Sequence, residues 1–382
     1  MKNKKIKQSI TTKGHRLIFS KKNKQIIVLY LFFLLITFQN ARALGNWYVF
    51  GDSLSDNGNI PRLTGVFLPP VPYYQNRFSN GPVWAEDFPR IAHFKFKPSN
   101  YYAVGGAFTG PITAKGLNGK ANIYNNLENT SWSSFKPFFV TPQLPSFLTE
   151  IQSFAINQKK FKPNDLIGIW IGANNFFVAA KQSIAFEKTI FTNNPSYAIN
   201  AGIEPNLLYR MYFLYMQTKD FNTAIGLLIW STAQTAVSQT VYGVRELLKL
   251  GAKYIIILNL PPIQDTPALI QSGFKAQALA SIYVELYNIY LQQMIDSIKN
   301  QTKSKILILN TGLMFEKLIS NPKAYGIINT YSEGMKACLN GKPYYSHYLF
   351  WDGVHPTAYT QKIIAQFVSK IVKTFYPYKS NS

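Results

Sequence analysis

Cysteine is almost missing from this chain: Cys338 stands alone among 382 residues. No intrachain disulfide can form, so stability has to come from packing. The one thiol sits in Ala337-Cys338-Leu339-Asn340-Gly341 without a cationic run to depress its pKa, which argues against a catalytic role. Histidine is scarce too, with four copies, and only 17 acidic residues face 40 Lys and Arg. Neither a His-Glu-x-x-His helix nor an EF-hand loop occurs, so no metal or other cofactor is expected. The positive charge is scattered and comes without a zinc-finger, RNA-recognition or basic-zipper pattern, so no nucleic-acid partner is expected. No internal repeat is visible.

Part of the positive charge belongs to the first forty-odd residues. Residues 1–25 carry nine Lys or Arg and no acid, Ile26 to Phe38 is apolar apart from Thr37, and Ala41-Arg42-Ala43 is a small-x-small site. This is the order of a Sec-type signal peptide, with cleavage expected after Ala43 and a secreted or periplasmic product. The apolar run is short of the roughly 20 residues of a spanning helix. Without that segment, 30 basic residues face 17 acidic ones, a balance that suits a peripheral contact with an anionic membrane surface.

Residues 44–382 read as one large α/β domain. Trp47 to Phe50, Tyr101 to Val104, Leu166 to Ile171, Tyr254 to Leu260 and Ile306 to Leu309 are short apolar runs, four of them ending in Gly or Pro. They predict five mostly parallel strands buried on both faces. Helical periodicity over Phe221 to Leu250, Ala276 to Lys299 and Ala358 to Phe375 fills the intervals and predicts a three-layer α/β/α sandwich. Residues 111–145, rich in Asn, Gly, Ser and Thr, and 180–220, rich in Phe and Tyr, break the alternation and read as loop insertions over the catalytic face.

The chemistry can be narrowed by elimination. His15 lies in the signal segment, His93 in a helical stretch with apolar neighbours, and His347 has no acid within three residues. His355 follows Asp352 at i+3 in Trp351-Asp352-Gly353-Val354-His355-Pro356. That spacing lets a carboxylate accept the ring N–H and fix the tautomer of a general base. Gly51-Asp52-Ser53 follows the first strand and can present a serine hydroxyl in a turn. Gly105-Gly106 and Gly172-Ala173-Asn174, at later strand ends, add a backbone donor and an amide donor. Each piece taken alone is an ordinary turn.

As a set, in this order, they resemble the GDSL, or SGNH, hydrolases. The matching blocks are Phe50 to Asp56, Asn100 to Ala107, Gly172 to Asn175, and Asp352 to Pro356. The resemblance implies a flavodoxin-like fold, Ser53 as nucleophile, an oxyanion hole from Ser53, Gly106 and Asn174, and Asp352 with His355 completing the triad. Asn175 departs from the usual Asp. Asn259-Leu260-Pro261-Pro262 and the run Tyr348 to Thr357 look like the bacterial branch of secreted phospholipases A, lysophospholipases A and glycerophospholipid:cholesterol acyltransferases. The substrate expected from that branch is a phospholipid or lysophospholipid, with cholesterol as an acyl acceptor; the single cysteine, which cannot close the acyltransferases' disulfide loop, tilts the expectation towards hydrolysis. A carbohydrate O-acetylesterase and a non-catalytic binding protein on a hydrolase scaffold are the alternatives.

Overall fold

The computed structural model describes residues 44–65, 67–110, 146–158 and 160–376. The expected signal segment and the expected insertion at 111–145 lie outside these residues. Four strands, β1 (Trp47–Gly51), β2 (Leu166–Trp170), β3 (Tyr254–Leu258) and β4 (Lys305–Leu309), pair in that order into an all-parallel sheet. The predicted fifth strand is only partly realised. Tyr101 to Val104 runs parallel along the free edge of β1, donating from Tyr102 N to Val49 O at 2.7 Å and from Val104 N to Gly51 O at 2.9 Å, without extending into a regular ladder. Counting it, the chain goes from β1 to one side and then returns to the other through β2. The carboxyl end of β1, where Ser53 lies, is therefore the point at which strand order reverses and ligands collect.

The helices of nine or more residues are α1 (Trp84–Ala92), α2 (Phe147–Gln158), α3 (Ala173–Thr192), α4 (Pro205–Thr218), α5 (Phe221–Lys249), α6 (Phe274–Lys299), α7 (Thr311–Ser320) and α8 (Ala358–Phe375). Alternation along the strands sorts side chains to two faces. Tyr48, Phe50, Ile167, Ile169, Ile255 and Ile257 join one continuous core with the buried stripes of α2, α3, α5 and α6. The opposite face turns Trp47 and Trp170 towards α1, where Trp47 packs edge-on to Trp84 and tilts against Phe88, and α8 packs on α1. Gly168 in β2 makes room for this aromatic layer: a Cβ there would stand 2.2 Å from the Trp47 ring. A side chain at 168 and the Trp47 ring cannot both be accommodated.

Residues 180–220 are not the loop insertion expected from their composition. They form the second half of α3, a short helix at Ser196–Asn200, and α4, whose Met211 is buried and whose Leu207, Leu208 and Tyr215 pack against the main core. Their aromatic residues fall on both the inner and the outer face of α4, which hides the contrast between faces that marks an amphipathic helix. A further short parallel pair, Asn329–Glu333 with Tyr348–Phe350, leads into the His355 loop. No helix among the described residues is long and apolar enough to cross a membrane.

Candidate active site

Ser53 lies in a tight turn immediately after β1. Asp52 N donates to Trp170 O, and Ser55 N and Asp56 N both donate back to Asp52 O. This closes a single turn around the serine before the next short helix starts at Asn59. Asp56 then ties two blocks together. Its Oδ1 accepts from Gly58 N and Asn59 N at 2.8 and 2.6 Å, and its Oδ2 accepts from Gly105 N at 2.7 Å. Asn59 Nδ2 adds bonds to Tyr101 O and Ala103 O. The serine turn and the glycine turn are thus held as one unit by the Asp56 and Asn59 side chains.

The glycine turn has a defined geometry. Ala107 N donates to Val104 O, and Gly106 has φ of 81° at the third position of that turn, which calls for a residue free to take positive φ. From the other side, Asn174 in the first turn of α3 donates from Nδ2 to Ala107 O at 2.9 Å. Its amide carries a second N–H for another acceptor. Asn175, the departure from the expected Asp, is buried; its Oδ1 accepts from Thr109 N and its Nδ2 donates to Thr109 Oγ1. A carboxylate could not supply the second of these bonds.

The histidine loop arrives from the far end of the chain. His355 Nε2 lies 2.8 Å from Ser53 Oγ, and Nδ1 lies 2.8 Å from Asp352 Oδ2. Asp352 Oδ1 also accepts from the backbone N–H of Val354 and of His355, and Tyr73 donates its hydroxyl to Oδ2 at 2.7 Å. The His355 ring leans on Phe78 with centroids 4.9 Å apart. Trp351 N donates to His355 O, closing the loop. Burial pushes the Asp352 carboxyl up, but the His355 charge and these hydrogen bonds outweigh it and hold the group below the ordinary carboxylate range. It remains an anion, as the orienting member of a hydroxyl–imidazole–carboxylate relay must.

Other carboxyls nearby behave in the opposite way. Burial raises Asp52 to about 7 and Asp56 to about 6, and pushes Glu150, which accepts from Gly51 N at 2.8 Å, well above its usual value. Sequence reasoning missed Glu150 and Tyr73, which lie in no recognisable motif and reach the site only through the fold. His347 is elsewhere, its ring tilted against Tyr359 with Nδ1 near Ser346 Oγ, and His93 ends α1 in a left-handed conformation. Neither joins the relay.

A narrow cleft over Ser53 and His355 is bordered by Asn174, Phe177, Pro261 and Val354. Asn174, Phe177 and Val354 also line an adjoining cavity of about 370 Å³. Phe108, Ala180, Ile184 and Leu279 make most of its remaining wall apolar, while Lys181, whose ammonium burial lowers to about 8, lies along one side. Lining positions on α3 run from Asn174 to Glu187, roughly 20 Å at 1.5 Å per residue.

The profile of the GDSL-like lipase/acylhydrolase family matches residues 48–368. A phosphatidylcholine-sterol acyltransferase of Aeromonas hydrophila is 32% identical over 133 residues, covering 34% of this chain and only 32% of that enzyme. A GDSL esterase/lipase of Arabidopsis thaliana is 21% identical over 84% of this chain and 85% of its own length. An acetylesterase of Thermothelomyces thermophilus is 28% identical over 35% of this chain and 42% of its own. With the family's profile spanning both the serine turn and the histidine loop, the chain belongs to the GDSL-like lipase/acylhydrolases, a family of acyl ester hydrolases.

Proposed function

We propose that this protein is an exported serine hydrolase that cleaves the acyl esters of lysophospholipids and phospholipids at a membrane surface, transferring acyl groups to alcohols such as cholesterol as a side reaction. The observation that carries the reading is the apolar cavity continuing from the serine cleft past Asn174, Phe177 and Val354. An acetyl group has no use for such a space, whereas each methylene of a long chain placed there gains about 0.8 kcal/mol from leaving water.

In this mechanism Ser53 Oγ attacks the ester carbonyl as His355 Nε2 takes its proton, and Asp352 stabilises the imidazolium. The N–H groups of Ser53 and Gly106 and the second Asn174 amide proton receive the developing oxyanion. Collapse breaks the bond to the glycerol oxygen, which leaves with the proton from His355, and Ser53 keeps the acyl group. Water then attacks, giving its proton to His355, and the fatty acid departs as Ser53 regains the proton. An alcohol in place of water gives acyl transfer, the reaction named for the Aeromonas relative.

Removal of acetyl groups, as from carbohydrate, is the competing reading; the similarity to the Thermothelomyces thermophilus acetylesterase favours an acetyl ester. A p-nitrophenyl ester series from acetyl to palmitoyl separates the two. The lipid reading expects kcat/KM to rise with chain length, and a maximum at acetyl contradicts it. Mass spectrometry of mixed phospholipids and lysophospholipids, with cholesterol present and His355→Ala as control, identifies head group, ester position and acceptor.

A further inference from the structure

We infer that the outward faces of α3 and α4 form a docking surface for an anionic phospholipid bilayer, so that the mouth of the acyl cavity opens against the lipid; this rests on the lipid-ester reading of the site. Helix α4 has two apolar stripes where a surface helix ordinarily has one. The inner stripe, Leu207, Leu208, Met211 and Tyr215, packs on the core. The outer stripe is Tyr209, Tyr212, Phe213 and Met216, again at spacings of three and four, with Tyr209 71% and Phe213 55% exposed. Helix α3 continues the surface through Ile184, Lys188 and Phe191, at i, i+4 and i+7. Phe191, 77% exposed, packs its ring on Phe221, which in turn packs on Tyr215 of the inner stripe of α4, so the two exposed rows flank one shared core edge.

Two features select the occupant. The first is charge. Lys188, whose ammonium lies over the Tyr197 ring, Arg210 and Lys219 lie among these side chains; of the acids in the same stretch, Glu187 is paired with Lys275, and Glu204 and Asp220 sit at the first turns of α4 and α5, where they accept from backbone N–H groups. Aromatic and aliphatic residues interleaved with Lys and Arg match the boundary between acyl chains and anionic headgroups. The second is continuity with the site. Ile184 is 67% exposed yet also lines the cavity that reaches Asn174. A chain leaving a bilayer at Ile184 enters the cavity without crossing water.

The test is co-sedimentation of the protein with phosphatidylcholine vesicles prepared with and without phosphatidylglycerol, using Ser53→Ala to keep the lipid intact. Binding is expected with phosphatidylglycerol and is expected to weaken with added salt. Phe191→Ser with Phe213→Ser, and separately Lys188→Glu with Arg210→Glu, are expected to lower partitioning by tenfold or more, the charge reversals by on the order of fivefold for each positive charge lost. All four positions are exposed, and turnover of a soluble acetyl ester by the same variants on the wild-type background is expected to stay unchanged. Equal partitioning by variants and parent, or no partitioning at all, overturns the inference. So does a dimer in solution that Phe213→Ser converts to monomer in a protein that ignores vesicles, because a second copy then covers the face. The two readings fail separately. Vesicle binding by a wild-type enzyme that releases no fatty acid removes the lipid-ester reading and leaves the surface, whereas hydrolysis of lysophospholipid micelles without vesicle binding does the reverse.

Discussion

His355 Nε2 and Ser53 Oγ stand 2.8 Å apart although 302 positions of chain separate them. The contact depends on the parallel sheet bringing the turn after β1 to the same end as the loop before α8, and on Asp52 N being anchored to Trp170 O at the end of β2. Loss of the serine should therefore remove activity without disturbing the fold. Ser53→Ala and His355→Ala are each expected to lower kcat by roughly 10⁵- to 10⁶-fold, and Ser53→Ala is expected to melt near the parent, whereas His355→Ala leaves the buried Asp352 carboxylate without its ring partner and should melt lower.

Tyr73 acts through Asp352, whose Oδ2 it shares with His355 Nδ1. Tyr73→Phe removes a hydrogen bond to a buried anion, a loss of about 1.5–3 kcal/mol where such bonds are fully desolvated. Kinetics on a soluble ester should show kcat reduced by about 10- to 100-fold with KM little changed, and a smaller effect than Asp352→Asn, which misorients the imidazole and should cost about 10⁴-fold. A Tyr73→Phe enzyme of wild-type rate would remove the tyrosine from the relay.

Asn174 has one amide proton on Ala107 O and a second for the substrate. Asn174→Ala is expected to reduce kcat by about 10²- to 10³-fold. A loss confined to KM would mean that the amide holds the ground state and not the oxyanion.

Asp52 gives a stability prediction with a definite sign. Its pKa is raised from near 4 to about 7 by burial, so between those values the folded protein holds a proton that the unfolded chain has released. Stability from this group is full below about pH 4 and is lost as pH rises through 7. Asp52→Asn retains an oxygen for Leu54 N, whose bond to Asp52 Oδ1 measures 3.0 Å, and cannot ionise. Melting temperatures measured from pH 5 to 8 should fall less in Asp52→Asn than in the parent, and parallel slopes would contradict the assignment.

Gly168 and Trp47 compete for one volume. Gly168→Ala is expected to destabilise the protein by about 1–3 kcal/mol in urea titrations, the usual cost of overpacking a filled core. Unchanged stability would mean that the aromatic layer over β1 and β2 shifts without resistance.

The strands β1 to β4 and the long helices were legible because they are short apolar runs and long amphipathic periods, the two signals that depend on burial alone. Ser53, Asp352, His355 and Asn174 were legible as motif members; the fold brings Ser53, His355 and Asn174 to one cleft, with Asp352 buried against His355. Tyr101 to Val104 was read as a strand because it is apolar, yet apolarity records burial and not ladder length. Helix α4 was missed because its outward Tyr and Phe obscure the contrast between faces on which amphipathicity is judged. Tyr73 and Glu150 carry no local signature. Their roles arise from positions 279 and 99 residues away from the partners they bond.

The most direct measurement is intact-protein and peptide mass spectrometry after treatment with a long-chain alkyl fluorophosphonate. A single adduct on Ser53 is expected, absent from Ser53→Ala and formed far more slowly in His355→Ala and Asp352→Asn. An adduct at another residue, or equal labelling of Ser53→Ala, would contradict the assignment of Ser53 as the nucleophile that His355 activates.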